Sequence, residues 1–209
     1  MILQKQDQGE GLTSSPDLSL LRWFQDIFPD CAGAVNDLAR TLDDNPGRIS
    51  RAYRELLAGY SVDPERVIKI TLELSDDNYS GLVSSLNVPF LSICAHHFLP
   101  FFGTIDIVYQ PSNAIVGIGK LPRLVECRAK RFQLQEILTR TICEDLMIHA
   151  RARGVYVRSF ARHTCVCYRG PEMQPVVNQS TYSMGSLTEP SSLLEVFSLL
   201  GTRSYEGCR

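Results

Sequence analysis

The residues best equipped for chemistry in this 209-residue chain lie in the run Ser92-Ile93-Cys94-Ala95-His96-His97-Phe98. It packs one thiol and two imidazoles between Cys94 and His97. Thiolate sulfur and imidazole nitrogen are donors that zinc favours, and a tight turn presenting both supplies half of a tetrahedron. Cys94 and His97 are close enough in sequence to grip one ion. His96 then points elsewhere and stays free for proton transfer. The same run also reads as two ordinary histidines beside a buried cysteine, so the rest of the chain has to decide.

A second such run is Arg162-His163-Thr164-Cys165-Val166-Cys167. In a strand, His163, Cys165 and Cys167 share one face. A buried cysteine pair is the plain alternative. Repetition favours chemistry: two separate segments each bring a His and a Cys, and three ligands with one open position are the catalytic form of a zinc site. On that reading Cys94, His97 and Cys165 hold the metal, and His96 and His163 are left as acid and base. His149 falls within a predicted helix and reads as a surface or packing residue.

Between these runs, Lys120, Arg123, Arg128, Lys130 and Arg131 face a single acid, Glu126, in a chain of net charge −2. Such a cluster forms either a solvated helix face or a phosphate site near a helix start. Arg169, before Gly170, is either a further phosphate contact or a turn arginine. Glu136 is either a surface carboxylate or an acceptor for the N1–H and amino group of a guanine.

The elements that must position these groups follow from apolar spacing. Leu18, Leu20, Leu21, Phe24 and Phe28 form a helical stripe. A second helix is predicted over 31–42 and a third, after the Asp43–Gly47 turn, over 48–57. Strands are expected at 67–74, 82–93, 101–109 and 115–118, a long helix at 121–153, and a closing hairpin from 155–161 and 166–168. Short turns between strands imply an antiparallel sheet with helices on one face, an α+β arrangement. So few strands leave open edges, which a barrel shared between subunits would close. The predicted organisation is a disordered polar arm at 1–16, a helical region at 17–66, the catalytic domain at 67–187 and a tail at 188–209.

Composition narrows the class. The slight negative charge gives no general attraction to nucleic acid or membranes. No stretch approaches the roughly 18 apolar residues of a spanning helix. The polar start lacks a signal-peptide core. Seven cysteines, an odd number without a framework, fit a reducing cytoplasm.

Taken together, Ser92–Phe102 (SICAHHFLPFF), Val116–Thr139 (VGIGKLPRLVECRAKRFQLQEILT) and His163–Gly170 (HTCVCYRG) resemble the GTP cyclohydrolase I family, and Asn45–Ile49 resembles its Thr-Pro-His-Arg-Ile turn. The resemblance implies a tunnelling fold, with four antiparallel strands and two long helices per subunit. Five subunits form a ring, and two stacked rings form a homodecamer with active sites at subunit interfaces. By motif position it implies Zn2+ at Cys94, His97 and Cys165, and catalysis by His96 and His163. Gln135 and Glu136 would meet the guanine, Lys120, Arg123 and Arg169 the triphosphate, and Arg48 would reach the triphosphate from a neighbouring subunit. The implied reaction opens the guanine ring of GTP at C8, releases formate and forms 7,8-dihydroneopterin triphosphate.

Four positions depart from the family pattern. Ala95 stands where a Glu is usual, and Gly119 where a Ser is usual; Pro122 and Arg162 are also atypical. These changes raise an alternative: an enzyme that stops at a ring-opened pyrimidine or uses another purine nucleotide. A further alternative is a partner subunit whose zinc is purely structural, with Cys167 as the fourth ligand.

Overall fold

A computed structural model describes residues 16–73, 79, 81–174 and 176–201, with the backbone alone at 70–72. Nearly all of the expected polar arm lies outside the described residues, as does the end of the strand expected at 67–74. The chain divides into two compact units, Met1–Glu55 and Leu56–Arg209.

The described residues of the first unit are mainly helical: α1 (Pro16–Ile27), α2 (Ala32–Asp44) and α3 (Arg48–Leu56, whose last residue belongs to the second unit). Gly47, at φ +72, makes the turn before α3. Its N–H donates to the Asp17 carboxylate at 2.6 Å, tying that turn to the start of α1. Arg51 folds back on the same turn, donating to the Asn45 side chain at 2.6 Å and the Pro46 carbonyl at 3.0 Å.

The second unit runs α4 (Pro64–Val67), β1 (Ile70–Glu73), β2 (Val83–Cys94), β3 (Pro100–Gln110), β4 (Ala114–Val116), α5 (Lys120–Ala129), β5 (Phe132–Gln133), α6 (Gln135–His149), β6 (Gly154–His163), α7 (Thr164–Cys167), β7 (Asn178–Gly185) and α8 (Pro190–Leu200). The main sheet has the order β5-β2-β3-β6-β7. All its pairs are antiparallel except the short β2–β5 pair. β1 and β4 form a separate pair. The fold is mixed α+β, with a sheet that curls where β2 slips register between Ser85 and Val88. Asn87 there takes φ 57 and donates to Asp106 at 2.8 Å, a bulge that bends the strand.

Strand parity divides the side chains between two layers. Phe101, Ile105, Ile107 and Tyr109 of β3, with Val155, Val157 and Ala161 of β6, pack against Leu121, Leu124 and Val125 of α5 and Leu138, Ile142 and Leu146 of α6. On the other face, Val108 and Tyr156 pack against Leu187, Val196 and Leu200, so α8 covers part of the sheet. Asp106 and Arg158 pair directly across β3 and β6 on that face, joined by a 2.7 Å hydrogen bond. On the helical face, Gly103 opposes Ala161, and a Cβ there would run into the Phe160 carbonyl. Glycine therefore lets β3 and β6 close at this point.

Three elements differ from the sequence expectation. The expected strand start at Val67 is a helical turn instead: Asp63 caps it by accepting from the Glu65 N–H at 3.1 Å, with Pro64 at its first position. The helix expected over 121–153 is broken into α5 and α6. Arg131 seals the end of α5 by donating to the Cys127 carbonyl at 3.1 Å and the Gly59 carbonyl at 2.7 Å. The next residues pair with β2, so tertiary pairing overrides their helical propensity. The strand expected at 166–168 lies instead within α7 and the turn after it. The real partner of β6 is β7, a largely exposed polar strand.

Candidate metal centre

The group is assembled at one end of the sheet. β3 lies between β2 and β6, so the end of β2 and the end of β6 meet across the start of β3. Cys94 is the last residue of β2 and is buried. Its N–H donates to the Leu99 carbonyl, and its carbonyl accepts from the Phe98 N–H, both at 2.8 Å, closing a tight turn in which Phe98 takes φ 56. The turn is held from the side. The Ala95 N–H donates to the Gln133 carbonyl at 3.1 Å, and the Phe98 ring lies 4.6 Å from that of Phe132. His96 and His97 project from the turn as exposed side chains, their rings edge to face.

Cys165 arrives from the opposite side, on the helical turn that follows β6. The Thr164 hydroxyl anchors that turn by donating to the Pro100 carbonyl at 2.7 Å. One ligand atom from each of Cys94, His97 and Cys165 lies within 4.8 Å of the others. Two thiolates and an imidazole around a tetrahedral ion stand about 3.5–3.8 Å apart, so a small contraction closes the group on a metal. Cys167, once a candidate fourth ligand, instead directs its sulfur to the Val176 carbonyl at 3.9 Å. Burial and the neighbouring Cys94 push the Cys165 thiol above its ordinary range, with the Arg169 charge opposing. A cation supplies what such a pair of buried thiols lacks.

His163 ends β6 and stands opposite Phe101 in the ladder. Its ring stacks on Phe101, with centroids 4.4 Å apart and planes 6° from parallel. Its Nε2 lies 3.0 Å from Gln135 Oε1. Burial lowers its pKa from 6.5, and the Glu136 charge pulls the other way. Gln135 and Glu136 open α6, Gln135 buried and Glu136 exposed. Gln135 was expected beside the guanine; its amide is engaged within the fold, with Ser159, Asn178 and His163.

The cationic residues are spread over several elements. Lys120 and Arg123 lie in the first turn of α5, and Arg123 lines a groove of about 500 Å3 with Val88, Phe90, Pro122 and Lys130. Arg128 is bound by Asp145 of α6, which raises its pKa. Lys130 pairs with Glu126 at 2.7 Å. Arg169 is exposed, in the turn after α7. Arg48 is the first residue of α3, in the other unit. Sequence reasoning missed Phe101, Ser159, Asn178 and Thr164, because their contacts depend on strand register.

The family profile described as GTP cyclohydrolase I matches residues 32–200. The chain belongs to the GTP cyclohydrolase I family. It is similar to GTP cyclohydrolase 1 of Fusobacterium nucleatum subsp. nucleatum, 39% identical over 180 residues, or 85% of this chain and 95% of that protein. The enzyme of the same name from Campylobacter lari is 39% identical over 158 residues, 75% of this chain and 82% of that one. That of Campylobacter jejuni subsp. doylei is 35% identical over 180 residues, 83% and 94% of the two chains. A GTP cyclohydrolase I of this kind is an enzyme, and the Cys94–His97–Cys165 group is its candidate metal-binding site. Among the described residues no helix is long and apolar enough to cross a membrane.

A metal must displace the Cys165 proton to bind. Cobalt(II) added to chelator-treated protein should give thiolate-to-cobalt absorption that strengthens as pH rises through neutrality. Cys165→Ser should weaken the band and loosen the ion at least about tenfold. A band indifferent to that substitution would remove Cys165 from the group.

Proposed function

We propose that the chain is a zinc-dependent GTP cyclohydrolase I. It opens the guanine imidazole ring of GTP at C8, releases C8 as formate, and recloses the product with ribose carbons as 7,8-dihydroneopterin triphosphate. The observation that carries this reading is the convergence of Cys94, His97 and Cys165, with His163 two residues before Cys165, in a chain of this family. The two-sulfur, one-nitrogen donor set suits zinc, and three ligands leave a position for solvent. Zinc held by these residues would supply Lewis acidity and would lower the pKa of a water toward about 7.

The chain's own groups do the rest. His163, clamped by Phe101, exchanges a proton at the imidazole nitrogen of the base. His96 is the second acid–base group. The Glu136 carboxylate accepts from guanine N1–H and the amino group, donors that adenine does not present there. Lys120, Arg123 and Arg169 bind the triphosphate, with Lys120 and Arg123 at the positive end of α5, and Arg48 of a neighbouring subunit adds a further contact.

The same reading includes a homodecamer of two stacked pentameric rings in the cytoplasm. In support, β7 ends the sheet on one side, and β5 covers β2 only at Ile93 and Cys94. Pro89 lies within β2, and proline in a sheet belongs at an edge. Another subunit's edge would complete such a strand. Light scattering on the zinc-loaded protein should give the mass of a decamer; a monomer that turns over GTP would sink the shared barrel.

Incubation with GTP and zinc, followed by oxidation, should yield a fluorescent pterin. His163→Ala should cut turnover by about a hundredfold or more while leaving zinc content intact. Lost zinc would make His163 a ligand, and wild-type protein without turnover would end the proposal.

A second reading rests on Gly119, which precedes α5 without a side-chain cap. A Cβ added there meets no atom within 4 Å, so packing does not demand the glycine. With no hydroxyl there and Ala95 beside Cys94, the enzyme releases a ring-opened formamide or diaminopyrimidine. Gly119→Ser should fold normally and, on this reading, shift the product toward the pterin. An unchanged product mixture would separate Gly119 from the later steps.

A further inference from the structure

The buried start of α6 holds a side chain that the proposed chemistry leaves without a task. Gln135 is 4% exposed. Its amide nitrogen lies 3.0 Å from the Asn178 carbonyl oxygen, 3.2 Å from the Ser159 carbonyl oxygen and 2.9 Å from the Ser159 hydroxyl. The two carbonyls can only accept, so the end of the amide that faces them must be the NH2. The flipped amide would set its oxygen against both of them. The side-chain oxygen is thereby turned to His163 Nε2, 3.0 Å away. That oxygen has no hydrogen to give, so Nε2 must carry the proton.

We propose that Gln135 is a positioning residue that holds neutral His163 as the Nε2–H tautomer, leaving Nδ1 as the nitrogen through which a proton passes to and from the substrate. Phe101 contributes from the ring face: its parallel stack at 4.4 Å opposes tilting of the imidazole. Nδ1 has no hydrogen-bond partner among the described residues, whereas Nε2 is occupied. The orientation chain runs from the backbone of β6 and the residue that opens β7, through the amide, to the imidazole. Three elements therefore fix one proton. The role differs from a guanine contact because the amide's polar atoms are already used inside the fold. Only the kinetic part of the test depends on the function proposed above.

The tautomer can be read directly in the full-length, zinc-loaded protein. Two-bond 1H–15N correlation spectra of histidine-labelled protein, recorded above pH 8, should show the Nε2–H pattern for the resonance that disappears in His163→Gln. An Nδ1–H pattern, or averaging between the two forms, would overturn the proposal whether or not the protein turns over GTP. Gln135→Leu removes the acceptor at nearly constant volume. It should lower kcat for GTP by about tenfold to a hundredfold, hold KM within about twofold, leave zinc content unchanged and release the tautomer to an averaged pattern. A raised KM with kcat preserved would place Gln135 on the substrate and overturn the proposal. If Gln135→Leu does not fold, the wild-type spectrum decides alone.

Discussion

Two thiols held side by side in a buried place are the constraint on which this structure depends. Cys94 ends one strand, Cys165 follows another, and β3 between them sets their separation. Burial and mutual proximity both disfavour the thiolate at Cys165, a pressure that a cation held there would relieve. The surroundings maintain that position. The Leu99 and Phe98 backbone bonds close the Cys94 turn, and Thr164 ties the Cys165 turn to Pro100. His97 completes the donor set from the exposed side of the turn. The geometry of this candidate metal site and sheet integrity are therefore linked, since whatever separates the strand ends separates the sulfurs.

The Cys94, His97 and Cys165 group was legible as a candidate metal site because its residue types are chemically unusual and are repeated in two segments. Its backbone context was read less well. Parity along a strand led to Cys165, yet Cys165 sits on a helical turn after β6 has ended. What brings it to Cys94 is the adjacency of β2 and β6 to β3, which spacing alone does not contain. The strands 82–93 and 101–109 were read almost to the residue, since long alternating apolar runs have a strong period. β7 went unread because Asn178–Gly185 is polar and largely exposed, although Thr181 and Tyr182 carry some strand propensity.

The break between α5 and α6 matters more than its length suggests. Read as one helix, residues 121–153 would carry Gln135 and Glu136 on the middle of a cylinder. Broken by β5, they stand at a helix start beside the end of β6, and Gln133 braces the Cys94 turn. The local sequence Ala129-Lys130-Arg131-Phe132-Gln133 has no proline or glycine to announce the break. Arg131 reaching Gly59 and Phe132 meeting Phe98 are contacts between distant segments, and only the folded chain provides them.

The closeness of β3 and β6 at Gly103 has an evolutionary corollary. One ladder step separates Gly103–Ala161 from the Phe101–His163 pair, counted along the same face. Any side chain at Gly103 would wedge the strands apart against the Phe160 backbone, a group that cannot swing aside. The rest of the sheet has a large apolar core with which to absorb such a shift, but an imidazole stacked at van der Waals distance does not. Mutational tolerance should therefore be uneven along this ladder, and drift at a residue that touches no ligand would extinguish the chemistry before it unravelled the protein.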